Sequence, residues 1–138
     1  MVISENAPKK AREYLDKGYN CAEATFLALV ENNASEELLK VVTPFGGGIG
    51  ASRDICGIIT GGAMGIGFYF GRTDPNDLET KKKNYRLTRD FLKWISEKYA
   101  KKCEDIVITD NFKGHTEVCL DMIENSVSFL RNLILTNL

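Results

Sequence analysis

One histidine, three prolines and no excess of charge of either sign set the first limits on this chain. A lone histidine and no pair of carboxylates in an apolar setting give Ser-His-Asp or acid–base hydrolase chemistry no support. Eighteen Lys and Arg against 19 Asp and Glu leave a net charge of -1, so nothing draws the whole molecule to nucleic acid or to an anionic membrane. No apolar run reaches the ~20 residues that cross a bilayer; the longest uncharged stretch, 55–70, is shorter and broken by glycines. The opening residues, Met1 to Asn6, lack the basic start and apolar run of a secretory signal, which predicts a cytoplasmic protein.

What is present reads as one soluble domain over residues 1–138. The chain is 43% hydrophobic and 27% charged, too apolar and too neutral for disorder. No internal repeat, low-complexity tract or linker divides it. Helical periodicity dominates. Asn6 and Pro8 open a first helix with Ala7, Ala11, Tyr14 and Leu15 on one face and Gly18 as its stop. Asn20 and Glu23 have the spacing of a capping box for a second helix to about Asn32. Ser35 starts a short third helix. After the Gly46 to Gly50 loop, Ser52 or Asp54 is expected to cap a Gly-rich central helix from Ile55 to Phe70. Asp74-Pro75 is expected to open a long helix with Leu78, Tyr85, Leu92, Ile95 and Tyr99 on its apolar side, reaching about Lys102. Ile106-Val107-Ile108 reads as a short extended segment, and a last helix runs from about Thr116. The class is all-α, a bundle of five or six helices.

Four cysteines, Cys21, Cys56, Cys103 and Cys119, carry the chemistry. No two form a Cys-x-x-Cys, which excludes a thioredoxin-type dithiol, a zinc ribbon and covalent haem, so any shared site must be assembled by tertiary folding. In a reducing compartment permanent disulfides are not expected, and the weight moves to redox chemistry or metal ligation. Cys21, Cys56 and Cys119 each fall in the first turn of a predicted helix, where the helix dipole favours thiolate, and Cys103 follows Lys101 and Lys102. Two roles follow for all four. They are candidate ligands of an iron-sulfur cluster or another thiophilic metal, or candidate redox thiols that cycle between dithiol and disulfide. A third reading makes the chain a helical interaction module with structural cysteines.

Asn20-Cys21-Ala22-Glu23-Ala24, the stretch Phe45 to Gly71 with Cys56-Gly57-Ile58-Ile59-Thr60-Gly61 at its centre, and then Cys103 and Cys119 together resemble the C_GCAxxG_C_C family of redox-active proteins. Ile58 stands where the family motif usually has Ala. The resemblance spans nearly the whole chain and implies an α-helical redox or metal-binding domain; a related domain accompanies haem in split-Soret cytochromes. It implies no substrate and leaves the redox partner unknown.

Gly57, Gly61 and Gly65 line one face of the central helix. A bare face lets another helix, a second subunit or a cluster approach, which makes Gly57 and Gly61 candidate cofactor-binding positions and a homodimer the expected assembly. The Gly46 to Gly50 loop lacks the third glycine of a dinucleotide fingerprint and any following Gly-Lys-Ser/Thr, so no nucleotide is expected. His115, close before Cys119, is a candidate mixed-site metal ligand that an all-sulfur site would not need. Lys82, Arg86, Arg89 and Lys93 form a basic stripe that reads as a solvated face or a site for an anionic partner; no nucleic acid is expected.

Overall fold

The computed structural model describes residues 3–106 and 117–138. Its helices are α1 (Ala7–Asp16), α2 (Cys21–Val30), α3 (Glu36–Val42), α4 (Gly57–Phe70), α5 (Leu78–Lys98), α6 (Cys103–Ile106) and α7 (Glu117–Asn137), with short 3-10 turns at Glu31–Asn33 and Thr43–Phe45. The architecture is all-α. Among the described residues the one extended pairing is an isolated antiparallel bridge between Ile55 and Lys102.

Local signals account for most helix starts. The capping box is complete: Asn20 Oδ1 accepts from the Glu23 amide at 2.8 Å and Glu23 Oε1 accepts from the Asn20 amide at 3.0 Å. The same pair ties α2 to the turn before the glycine loop, because Asn20 Nδ2 donates to the Thr43 carbonyl and Thr43 Oγ1 donates to Glu23 Oε2. Ser35 Oγ caps α3 at the Leu38 amide. Gly18, with φ 105, ends α1 in a conformation open to glycine.

Two expected starts are corrected. α4 begins at Gly57, with Cys56 itself in the cap position and contributing no side-chain cap. Ser52 Oγ donates back to the carbonyls of Gly48 and Ile49, and neither Ser52 nor Asp54 gives α4 a side-chain cap. α5 begins at Leu78 and is capped by Asp77, whose carboxylate accepts from the Thr80 amide at 3.1 Å. Asp74-Pro75 forms the preceding turn, closed by Asp74 Oδ1 on the Asn76 amide. The buried side of α5 is Leu87, Phe91 and Ile95, while Leu78 and Tyr85 are exposed. α5 ends at Lys98 because the backbone turns extended at Tyr99 and leads Lys102 into the bridge. Ile106 closes α6 rather than opening an extended segment; Val107 and Ile108 lie outside the described residues.

α4 is the central element, and its glycines set how closely its neighbours come. A Cβ on Gly57 would meet the Ala22 amide nitrogen at 2.9 Å, and one on Gly61 would run into the Ala22 carbonyl oxygen, so α2 lies backbone to backbone on this face. Gly62 does the same on another side, admitting Phe91 of α5 and Leu130 of α7. Ile58, where the related motif has Ala, is fully buried in the main core. Trp94 and Phe129 stack at 4.5 Å and join α5 to α7.

Candidate functional site

Each cysteine sits at the edge of a different element: Cys21 is the first residue of α2, Cys56 precedes α4, Cys103 is the first residue of α6, and Cys119 lies in the first described turn of α7. Cys56 and Cys119 are buried in the main core, and Cys21 and Cys103 are half-buried.

Backbone pairing brings Cys56 and Cys103 together. The Cys56 amide donates to the Lys101 carbonyl at 2.8 Å, the Cys103 amide donates to the Asp54 carbonyl at 2.6 Å, and the Glu104 amide donates to Arg53 at 3.1 Å. These bonds flank the Ile55–Lys102 bridge, so Cys56 and Cys103 stand diagonally across it. The glycine loop supports this pairing from outside. Its amides are used internally: Gly50 donates to Pro44, Ala51 to Gly46, Arg53 to Gly47 and Asp54 to Gly48. Ile49, Ala51 and Arg53 hold positive φ within it, a costly backbone that the surrounding bonds maintain. Cys21 reaches the same region through Gly57, since a Cβ there would lie 3.2 Å from the Cβ of Cys21.

Electrostatics couples the set. The Cys21 thiol is pushed well above its ordinary range, first by burial and then by repulsion from Cys56, Cys119 and Cys103. Burial pushes the Cys56 thiol up to about 12; the amides of Ile58 and Ile59 at the start of α4 pull it down, while Cys119 and Cys103 add to the rise. Cys103 is raised by burial and by Cys119, and the Arg53 guanidinium opposes both. The expectation of thiolates is therefore corrected for Cys21 and Cys56 at their helix starts and for Cys103 behind its lysine pair. The amides at the start of α4 act in the expected direction, but desolvation and the neighbouring sulfurs outweigh them. The cation acting on Cys103 is Arg53, which the sequence reading missed; Lys102 lies 3.9 Å from Glu104. A usable signal was there, since Arg53 is the sole cation between Lys40 and Arg72 and lies shortly before Cys56.

The other candidates are placed differently. Gly57 and Gly61 have their bare faces closed by Ala22, so helix packing takes the place of cofactor contact on that side. His115 lies outside the described residues. Among the described residues no three His, Cys, Asp or Glu side chains are disposed to hold a metal ion. No described helix is long and apolar enough to cross a membrane.

No solved structure matches the chain. A curated protein of Archaeoglobus fulgidus, described only as uncharacterized, is 32% identical over 72 residues, which cover 50% of this chain and 48% of the relative. The chain thus spans about half the length of that relative. A family model described as "Putative redox-active protein (C_GCAxxG_C_C)" matches residues 19–133, from just before Cys21 to beyond Cys119. The chain belongs to this C_GCAxxG_C_C redox-active family.

Proposed function

We propose that the four cysteines act as one thiol redox centre that exchanges with disulfides. The observation that carries this reading is the backbone pairing around the Ile55–Lys102 bridge, which sets Cys56 and Cys103 on facing segments, with Cys21 reaching the same region beside Gly57. Cys103 is the attacking thiol: it is half-buried rather than buried, and Arg53 offsets part of the rise that burial and Cys119 impose on it. Its thiolate attacks a partner disulfide and forms a mixed disulfide while one partner thiolate leaves. Cys56, diagonal across the bridge, then attacks the Cys103 sulfur. The products are a Cys56–Cys103 disulfide and a partner dithiol, so the two electrons and two protons lost here are gained by the partner.

A second reading is favoured by the presence of four sulfurs rather than two. The donor set suits an iron-sulfur cluster or another thiophilic ion, which would neutralise the gathered thiolates. Among the described residues its disposition does not match a ligand set.

Anaerobic purification followed by iron, zinc and sulfide analysis and a thiol count separates the two. The thiol reading expects metal-free protein whose thiol count falls by two on treatment with a stoichiometric disulfide. Brown protein containing iron and sulfide overturns it in favour of the cluster.

A further inference from the structure

The outer side of α5 carries a feature that the thiol centre does not use. Lys82, Arg86, Arg89 and Lys93 are all exposed and follow one another about one turn apart. Among the described residues the ion pairs are Lys10–Glu31, Arg12–Glu124 and Lys102–Glu104, so none of these four cations has a carboxylate partner there. Three surface depressions share Arg89 as a wall. One, of about 600 Å³, lies among Lys82, Lys83 and Arg86. The second, of about 410 Å³, is floored by Ala63, Tyr85 and Leu92 and is mostly apolar. The third, of about 490 Å³, passes Lys93 and ends at Lys101. Lys101 is the residue whose carbonyl accepts the Cys56 amide. An apolar floor, an arginine at the centre and a cationic rim therefore lead to the backbone that carries Cys56.

We propose that this face docks an acidic protein, the partner whose disulfide the thiol centre exchanges with; this rests on the thiol reading above. Carboxylates of the partner pair with Arg86, Arg89 and Lys93, and an apolar side chain fills the floor beside Leu92, an arrangement that combines steering with a small desolvated anchor. Nucleic acid fits less well. Glu79 and Asp90 on the rim repel either kind of anion, but the Tyr85 ring that would stack on a base already has Lys81 over it at 5.4 Å.

The test uses the full chain and fluorescent peptides of equal length: one rich in Asp and Glu around a central Leu, one with Gln in place of the acids, and one with Lys. Single-stranded DNA of similar size serves as a fourth probe, and binding is read by anisotropy. The acidic peptide is expected to bind at least about tenfold tighter than the others and to weaken steeply with salt. The triple variant Arg86→Glu, Arg89→Glu, Lys93→Glu should lose that preference, and Arg89→Gln alone should weaken it. A Lys9→Glu, Lys17→Glu variant, on α1 and at its C-cap, should bind as the parent does. Equal binding of the Lys peptide, tighter binding of DNA, or equal loss in the α1 variant would overturn the proposal. A small neutral disulfide, 2-hydroxyethyl disulfide, should react at the same rate with the parent and the α5 variants. Failure of the parent to react with it would sink the thiol reading, while the peptide titration would still report on the surface.

Discussion

A methyl group on Gly48 would stand 2.7 Å from the Cβ of Cys103 and 2.6 Å from the Asp54 amide nitrogen, and Gly48 has φ +72. The loop closes on Cys103 only because this position has no side chain. Gly48→Ala is expected to lower stability by about 1–3 kcal/mol, from strain and from displaced neighbours. It should also loosen the pairing around Cys103 and speed its reaction with a small neutral disulfide. Urea unfolding and thiol kinetics measure the two effects, and a variant unchanged in both would contradict the placement.

Two glycines of α4 should respond in opposite directions. Gly61→Leu forces a side chain into the Ala22 backbone and is expected to cost at least ~1–3 kcal/mol or prevent folding. Gly67 has nothing within 4 Å of a built Cβ, so Gly67→Ala should be tolerated and add up to about 1 kcal/mol through helix propensity. Thermal unfolding of the two variants decides; the reverse order would be incompatible with α2 lying on the Gly61 face.

The raised thiols predict how stability depends on pH. A thiol whose pKa is higher in the folded state holds its proton longer there, so its contribution is complete below the unfolded value and is lost as pH rises. For Cys56 that loss runs from the ordinary 9.0 toward about 12, and Cys21 and Cys103 act in the same direction. Urea unfolding should therefore show stability falling above about pH 9, and Cys56→Ala should flatten that fall. An equally steep fall in the Cys56→Ala protein would show that other groups are responsible.

Arg53 favours the Cys103 thiolate. Arg53→Gln is expected to shift the pH profile of Cys103 alkylation upward, and Arg53→Lys should restore part of the shift. An unmoved profile in Arg53→Gln would remove the activating role.

Helix starts with a short-range cap were legible in the sequence. Asn20 with Glu23 and Ser35 with Leu38 depend on side chains a turn away, and the structure has them as expected. The start of α5 was misread because Asp74-Pro75 has the composition of a cap and first turn, yet Asp77 takes that role three residues later. The glycine face was readable from its spacing, although its partner, Ala22, was not. The bridge between Ile55 and Lys102 joins segments far apart in sequence, and no local signal marks it. The thiol energetics were misjudged for a related reason: helix position is local, whereas burial and the neighbouring sulfurs come only with the tertiary fold.

The central claim is that these cysteines form one redox centre. Its most direct test is disulfide mapping by mass spectrometry after the reduced full chain is treated with one equivalent of 2-hydroxyethyl disulfide under native conditions. The account predicts an intramolecular Cys56–Cys103 disulfide, with mixed disulfide accumulating at Cys103 in Cys56→Ser. Mixed disulfides scattered independently over the four cysteines, with no intramolecular bond, would contradict it.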